Sequence, residues 1–400
     1  MSTSRRTFIR SAIAATMGAG APACAVHGRP SGHTGTRIVS PTLAVVGPEL
    51  EKGFAAQGRV RVLRQDGTDP RTGLVAPAAL SEAGDAQTFF GPPSLVPLDA
   101  HMRLENLNPN VLLPGAFDAF TLAGAVYGLP LTYQAMWILH DKTIFAGANL
   151  PSPPLTWSLS TFASFARTLN ATAAASAQFA GILDATWTNM RLLMSFIRQA
   201  GGTVAGATAV EGVDRAALSG LRALVDLLRS VRVDWLPFSN GVALGFRPPM
   251  YGGTLEGVQA VLKKEGWQGW SGFPQYASRP LTPIRQSVLV ASQAATDAEV
   301  ALLVRFTRWL YEPDQQRLLA AAAIPPMAVD PAVQAWWRQS TAVEATGQTA
   351  VVGIDHLVNP LAGLPLHVRN DARLGKAVRN AATKTQDLTA ALGAQGITVM

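Results

Sequence analysis

Short apolar runs alternate with a helical pattern in the N-terminal part of the chain and predict an α/β unit. Arg37–Thr42 and Arg59–Leu63 have the pattern of strands, and Gly47–Gly58 between them has the periodicity of a short helix. Asp85–Phe90, which leads into a Gly-Pro-Pro turn, is predicted as a further short strand. Strands that alternate with helices favour a largely parallel sheet, and such sheets bind ligands at the carboxyl ends of their strands.

Helical periodicity dominates the rest of the chain. Strands are predicted over Val242–Phe246 and Ile284–Ala291, and Trp267–Phe273 is extended. The sequence shows no internal repeat. The predicted helices are Thr156–Leu169, Trp187–Ala200, Arg215–Val231, Thr254–Glu265, Asp297–Tyr311, residues 312–323, Asp371–Ala382 and Asp387–Gly393.

The stretch Val126–Lys142 has features that a plain buried strand lacks. A Gly-Leu-Pro turn leads into an extended run, which carries Tyr133, Gln134 and Trp137 where a buried strand would have Val or Ile. The polar end of the run then continues into new structure. We therefore interpret this stretch as a crossing between two lobes, with a small ligand bound beside it.

The composition agrees with a folded protein of two lobes. A chain of 400 residues is too long for one ordinary core, and 48% hydrophobic against 15% charged residues is typical of a globular protein. The net charge of +7 comes from Lys and Arg residues that are scattered and do not interleave with aromatic residues. We therefore predict a basic solvated surface and no nucleic-acid partner.

The N-terminus predicts export. Ser4–Arg10 (SRRTFIR) matches the twin-arginine pattern, and the Ala- and Gly-rich apolar stretch after it is too short to span a membrane. We assign residues 1–25 to the signal and residues 26–36 to a flexible tether rich in Gly, His, Ser and Pro. The expected location is the periplasm or the outer face of the cytoplasmic membrane.

Cys24, the single cysteine, leaves two interpretations of the end of the signal. It is either the lipidated first residue of a mature lipoprotein or a bystander beside a small-residue cleavage site. Ala21 departs from the larger aliphatic residue that a lipobox has three positions before its cysteine. One cysteine cannot hold an iron–sulfur cluster or form a disulfide within the chain.

The sequence lacks motifs for catalysis and for metal binding. The six histidines do not fall at metal-ligand spacing, and there is no nucleophile elbow and no phosphate- or dinucleotide-binding glycine loop after a strand. Asp184, Asp234 and Asp355 are too far apart in sequence to define the carboxylate pair of a glycosidase. We predict no catalytic residue, no metal and no cofactor.

Aromatic residues beside Gly, Pro or polar neighbours indicate a binding site instead. Aromatic faces stack on the C–H faces of sugar rings and their polar tips hydrogen-bond hydroxyl groups, although any one of them can equally fill the core. We expect at least two or three to line a cleft. The set is Tyr133, Trp137, Trp187, Trp235, Tyr251, Trp267 and Trp270.

Four segments resemble the type 1 extracellular solute-binding proteins of ABC importers, the group that includes maltose-binding protein. Gly128–Lys142 is similar to the first hinge segment of that family, and Phe145–Trp157 to the loop that starts a helix of its second lobe. Phe306–Pro326 resembles a late helix pair that ends in a Pro turn, and Ala377–Leu392 resembles the terminal helices. Together the segments extend over most of the mature chain in the order of the family.

The resemblance implies an α/β protein with the type II periplasmic-binding-protein clamshell, in which each of two lobes is a mixed sheet flanked by helices. Lobe 1 would comprise residues 37–136 plus 287–324, and lobe 2 residues 137–286 plus 325–400. Gln65–Leu80 departs from the family, because a stretch containing Gly and Pro replaces an expected helix. The three crossings are expected near Trp137–Leu139, Arg285–Ser287 and Ala323–Pro326.

Ten residues are candidates for contact with the ligand. Local chemistry points to Trp187, Trp235, Trp270 and Arg285, and Arg285 suits a pair of hydroxyl groups or a carboxylate, which leaves acidic sugars open. Trp137 is interpreted as packing at the hinge. The positions that the resemblance implies are Tyr133, Gln134, Met250, Tyr251, Asn370 and Asp371.

The function that the resemblance implies is capture of a carbohydrate-like solute, a mono- or oligosaccharide, and its delivery to ABC permease subunits. The protein would act as a monomer, perform no chemistry and touch the membrane only through a lipid anchor at Cys24. Two alternatives stay open. One is a secreted glycan-acting enzyme with the same aromatic cleft, and the other is a clamshell that serves as a sensor or adhesin.

Overall fold

A mixed sheet runs through the protein around two long neighbouring strands, Leu129–His140 and Thr282–Ala291. The computed structural model describes residues 36–63, 80–84, 95–154, 157–174, 189–230, 249–254, 269–276, 281–322, 324–339, 357–369, 371–384 and 386–400. These residues belong to one unit, Thr36–Met400. The strands are β1 (Thr36–Val39), β2 (Val60–Leu63), β3 (Leu80–Gly84), β4 (Thr121–Leu122), β5 (Ala125–Val126), β6 (Leu129–His140), β7 (Val204–Ala205), β8 (Gly212–Val213), β9 (Met250–Thr254), β10 (Gly269–Ser271), β11 (Thr282–Ala291), β12 (Leu357–Val358) and β13 (Thr398–Val399).

Side-chain caps set the start of several helices. The Asn189 side chain accepts a hydrogen bond from the backbone N–H of Leu192, and Thr296 and Glu299 form a reciprocal capping box. None of the helices in the ranges given above is long and apolar enough to cross a bilayer. The helices are α1 (Gly47–Phe54), α2 (Asp99–Leu104), α3 (Lys142–Gly147), α4 (Leu159–Ala174), α5 (Met190–Gln199), α6 (Arg215–Ser230), α7 (Asp297–Leu310), α8 (Pro313–Ala321), α9 (Pro331–Gln339), α10 (Leu366–Arg369), α11 (Ala372–Lys384) and α12 (Leu388–Gly393).

The main sheet has the strand order β10-β6-β11-β3-β1-β2, with β9 also paired to β6 and β12 to β11. β1 lies parallel to both β2 and β3, as predicted. β11 is antiparallel to β3 on one side and to β6 on the other, so the sheet as a whole is mixed. β6 and β11 extend beyond the parallel strands, and β9 and β10 pair with the second half of β6.

Two separate hydrophobic cores lie along these strands. The first core packs α1 and α7 against β1–β3, and its Phe54 and Phe306 rings meet edge-on with centroids 5.1 Å apart. The second core packs α4, α5, α6, α11 and α12 together, and Phe196 contacts Phe273 at 6.0 Å within it. Two cores of this size agree with the two lobes expected from the length of the chain.

Several predicted elements are confirmed with shifted ends, and several strands were missed, among them β3 and β9. The helix predicted over Trp187–Ala200 begins at Met190, because Asn189 caps it. Met250–Thr254 forms β9, for which the sequence analysis predicted no strand, because the backbone pairs with the second half of β6. The following predictions lie outside the described residues: the strands Asp85–Phe90 and Val242–Phe246, residues 255–265 of a helix, most of Gln65–Leu80, and the signal with Cys24 and the tether up to residue 35.

Candidate functional site

The strand β6 joins the two cores, and the side of it that is buried changes along its length. Its first half buries Leu131, Tyr133 and Ala135 in the first core. Its second half buries Ile138 in the second core. Successive side chains of a strand point to opposite faces, so the odd-numbered residues and Ile138 lie on different faces. The two cores therefore cover opposite faces of β6, and the change takes place between Ala135 and Ile138.

Gln134 and Arg285 lie opposite each other on the face of the β6–β11 pair that the first core leaves uncovered. Their Cα positions are partners in the antiparallel register, and both side chains are partly exposed. Ser287 follows Arg285 by two residues and pairs with Gly84, which is the last residue of β3. The pair therefore lies at the carboxyl edge of the parallel strands, which is where α/β sheets bind ligands.

Tyr133 occupies the opposite face from its neighbour Gln134. Its ring packs in the first core and is 8% exposed, and burial raises the pKa of its phenol. Within the described ranges no group hydrogen-bonds its hydroxyl. Tyr133 thus packs the first core, while Gln134 is the residue of this predicted pair that is turned away from that core.

Buried polar side chains connect the second core to β11 at the same place. Arg191 on α5 donates through its Nη1 to the carbonyl oxygen of Ile284 at 2.6 Å. The Nε2 of Gln286 donates to the carbonyl of Ala116 at 3.1 Å, and Asn359 donates through Nδ2 to the Oε1 of Gln286 at 2.8 Å. These bonds hold the backbone of Ile284 and the side chain of Gln286, the two residues that flank Arg285 on β11.

Two further arginines lie where the cores meet. Arg198 on α5 donates through Nε to the carbonyl of Pro360 at 2.8 Å. Burial lowers the pKa of Arg198, and the Asp118 carboxylate acts in the opposite direction. Arg369 donates to the carbonyl of Ala119, which adjoins Asp118 in a short 3-10 turn. The segment around residues 115–120 is therefore joined to residues of the second core through main-chain carbonyls and one carboxylate.

Met250 and Asp371 lie away from the junction of the cores. The Met250 side chain is fully buried in the second core. The Asp371 carboxylate accepts hydrogen bonds from Arg373 and from the backbone N–H of Val210. Burial alone would raise the pKa of Asp371, but these hydrogen bonds outweigh it and hold the pKa below its usual value. Both side chains are thus engaged by groups of the protein itself, and their contact with a ligand stays a prediction.

Most of the predicted aromatic contacts fall where side chains are not described. Tyr251 on β9 and Trp270 on β10 are backbone partners of Leu139, one on each side of β6. Trp187, Trp235 and Asn370 lie outside the described residues. Their contact with a ligand stays a prediction.

A polar cluster at the carboxyl edge was missed by the sequence reasoning. Ser40 and Thr42 follow β1 directly, and both hydroxyls donate to the Glu82 carboxylate of β3, at 2.6 Å and 2.7 Å. The backbone N–H of Thr42 donates to the same carboxylate at 3.1 Å. The signal was present in the sequence, because polar residues that follow the first buried strand of a parallel sheet lie at its binding edge.

A separate groove of about 510 Å³ lies between α4 and α6. Ser158, Arg167, Asp226, Gln275 and Tyr276 are among the residues that line it, and none of its lining residues belongs to β6 or β11. The part of the chain with assigned structure holds no group of three or more His, Cys, Asp or Glu residues arranged to bind a metal ion. The groove is therefore distinct from the edge that carries Gln134 and Arg285.

No protein-family model and no curated protein sequence matches the chain. Solved structures match it over nearly its whole length. UgpB from Mycobacterium tuberculosis, in complex with glycerophosphocholine, has a TM-score of 0.66 at 13% identity, covering 91% of this chain and 97% of that chain. The cyclic alpha-maltosyl-1,6-maltose binding protein from Arthrobacter globiformis has a TM-score of 0.65 at 15% identity, with 91% and 97% covered. The sugar-binding protein MalE from Xanthomonas citri has a TM-score of 0.65 at 14% identity, with 90% and 95% covered.

Identities this low concern the fold alone, and the shared fold covers about nine-tenths of the chain. The two cores joined by β6 and β11 and the mixed sheet with its parallel strands β1–β3 are the features of this chain that correspond to a two-lobed architecture. The clamshell predicted from the resemblance is confirmed. The protein has the type II periplasmic-binding-protein fold of the ABC-transporter solute-binding proteins.

Proposed function

We propose that the protein is the substrate-binding component of an ABC transporter, which holds a carbohydrate-like solute between its lobes and delivers it to permease subunits. The observation that carries the proposal is the junction of the two cores on β6. There Gln134 and Arg285 place polar groups at the carboxyl edge of the parallel strands. Ile138, the first residue of β6 that belongs to the second core, follows Gln134 by four residues. A ligand at such a junction contacts both lobes, so its binding favours the closed arrangement.

The solved structures support a small hydroxylated solute. The Arthrobacter globiformis protein is named for binding a cyclic maltosyl-maltose, and MalE is named for binding sugar. UgpB holds glycerophosphocholine. Their fold extends over nine-tenths of this chain, so a binding role for the same two lobes is the simplest use of the shared architecture.

We propose that the protein catalyses no reaction. A glycan hydrolase holds two carboxyl groups about 5–10 Å apart on either side of the scissile bond. At the junction described here, Glu82 accepts hydrogen bonds from Ser40 and Thr42, and Asp118 acts on Arg198. These carboxylates stabilise groups of the protein itself, which supports binding rather than catalysis.

The division into lobes follows the two cores. We propose lobe 1 and lobe 2 as given by the sequence, with two adjusted boundaries. Ile284 packs in the first core, so the second segment of lobe 1 begins at residue 284 or earlier and not at residue 287. Met327 also belongs to the first core, and its carbonyl accepts a hydrogen bond from the N–H of Leu113 at 2.9 Å. Val329 packs against the same core, and its N–H donates to the carbonyl of Val111 at 2.9 Å. The chain therefore stays in lobe 1 at least through residue 329 and does not leave it after residue 324.

We further propose that the protein is exported and works as a monomer. The twin-arginine pattern in residues 4–10 supports export, and the two interpretations of Cys24 set whether a lipid anchor holds the protein to the membrane. Mass spectrometry of the mature N-terminus separates them, because lipidation adds acyl mass to a chain that begins at Cys24.

A thermal-shift screen tests the proposed function. The panel contains mono-, di- and oligosaccharides together with amino acids and polyamines. A solute that binds only the folded state at about 100 times its Kd adds about 2.7 kcal/mol to the free energy of unfolding, so a true ligand raises the Tm clearly. Stabilisation by a carbohydrate is the expected result. Stabilisation by an amino acid or polyamine alone would contradict the carbohydrate claim.

A pair of variants tests the place of the site. Gln134→Ala should weaken binding of the stabilising solute, and the Tm of the unliganded variant shows whether it is folded. Gln57→Ala, at an exposed position after α1, is the matched control and should bind as the wild type does. Equal affinity of both variants would remove Gln134 from the site.

A further inference from the structure

We propose that the solute carries an oxyanion group, a carboxylate or a phosphate, and that this group binds the guanidinium of Arg285. The proposal rests on the proposed function, since it names the chemical class of the solute taken by the same site. Arg285 lies opposite Gln134, on the face of β11 that the first core leaves uncovered, and its side chain is partly exposed.

Arg285 has no interaction partner among the residues that the structure describes. Across the described ranges it forms no hydrogen bond and no ion pair, although a guanidinium carries five N–H donors. The acidic residue on the neighbouring strand, Glu82, is opposite Leu289, four residues or about 13 Å along β11 from Arg285. Glu82 is also occupied by the hydroxyls of Ser40 and Thr42. The Glu82 carboxylate therefore stabilises Ser40 and Thr42 and does not pair with Arg285.

The backbone that carries Arg285 is held in place. Arg191 donates to the carbonyl of Ile284, the residue before Arg285, at 2.6 Å. Gln286, the residue after it, is 1% exposed and is hydrogen-bonded to Ala116 and Asn359. Because its backbone is fixed before binding, the Arg285 side chain loses less conformational entropy when it binds a ligand group.

Closure of the lobes decides which solute suits this position. When the lobes close over a neutral solute, Arg285 loses water and gains only hydroxyl acceptors, and burying an unpaired charge is unfavourable. When they close over a carboxylate or phosphate, the planar guanidinium forms two parallel charge-assisted hydrogen bonds. The Gln134 amide opposite both donates and accepts hydrogen bonds, which suits a hydroxyl group beside the oxyanion.

Titration calorimetry on the mature protein tests the proposal with four probes. Glucuronate supplies a carboxylate, glucose 6-phosphate supplies a phosphate, and glucose and maltose are neutral. One of the anionic probes should bind, and its affinity should fall as salt is raised from about 0.02 to 0.5 M, because screening shortens the reach of charges. Which anionic probe binds better distinguishes the carboxylate from the phosphate.

Variants show whether Arg285 is responsible. Arg285→Gln should weaken binding of the anionic probe by about 10- to 100-fold, the value expected for loss of a charge-assisted hydrogen-bonded pair. Arg285→Lys keeps the charge without the planar fork and should lose part of that affinity. Arg37→Gln removes the same charge from an exposed position on β1 and should have no effect. The unliganded Tm of each variant shows that it is folded.

The outcomes separate this inference from the proposed function. Binding of glucose or maltose without binding of either anionic probe would overturn the inference and leave the proposed function intact. Unchanged affinity of Arg285→Gln for an anionic probe would overturn it as well. If none of the four probes binds and an amino acid or polyamine stabilises the protein, both proposals fail.

Discussion

His140 at the end of β6 makes the stability of the protein depend on pH. The imidazole is 2% exposed and lies against the Phe145 ring with centroids 5.2 Å apart. In the parts of the chain with assigned positions, neither of its ring nitrogens has a hydrogen-bond partner. Burial and, to a smaller extent, Lys142 lower the pKa of His140 to about 4, and Asp141 acts in the opposite direction.

The size of the effect follows from the two pKa values. The imidazole has a pKa of 6.5 when unperturbed and about 4 in the folded protein, a difference worth about 3 kcal/mol. Because the folded pKa is the lower one, the contribution to stability is complete above pH 6.5. As the pH falls below 6.5 the unfolded chain takes up the proton first, so stability decreases by about 2 kcal/mol at pH 5 and about 3 kcal/mol at pH 4.

Urea unfolding at pH 7.5 and pH 5.0 measures this loss. Between these values, wild type should lose about 2 kcal/mol more than His140→Leu, which has no group to protonate at this position. Each protein is compared with itself at the two pH values, so a general effect of the substitution on stability cancels. An equal loss in wild type and His140→Leu would refute the reasoning.

Three further substitutions test the packing and the junction, each by its change in Tm and in the free energy of unfolding. Gly220→Ala should cost about 1–3 kcal/mol, because a Cβ there would lie 2.4 Å from the carbonyl oxygen of Phe196, and a neutral result would contradict this close approach of α5 and α6. Gly147→Ala is its counterpart with no atom within 4 Å, so it should gain about 0.4–1 kcal/mol by restricting the unfolded chain. Arg191→Met should cost about 1.5–3 kcal/mol by removing the charged donor to the Ile284 carbonyl, and a stable variant would show that this bond does not join the lobes.

Local signals gave the helices and the first strands. Asn189 and Thr296 each begin a helix with a side-chain cap, and such caps are visible in the sequence without knowledge of the fold. Met250–Thr254 shows the limit of this reasoning. Its Gly-Gly pair favours a turn, and only pairing with β6, more than a hundred residues earlier in the chain, makes it a strand.

The sequence proposes where the candidate site lies along the chain, but it does not show which faces of the strands are available there. The sequence shows that Tyr133 and Gln134 point to opposite sides of a strand. It does not show which side a core will cover, because the covered side changes between Ala135 and Ile138. Arg285 was identified from its chemistry alone, and its position opposite Gln134 depends on the register of two strands far apart in sequence.

Asp371 shows a different difficulty. A carboxylate just before a helix suits either a ligand contact or a hydrogen bond within the protein. In the structure, the Asp371 carboxylate accepts hydrogen bonds from Arg373 and from the backbone N–H of Val210. The Val210 partner is 161 residues away in the chain, so the local sequence offers no sign of it.

The most direct test of the account is a crystal structure of the protein with the solute that stabilises it most in the thermal-shift screen. The account predicts that the solute lies between the two cores beside Gln134 and Arg285, in contact with both lobes. A solute bound in the groove between α4 and α6, beside Arg167 and Tyr276, would contradict it.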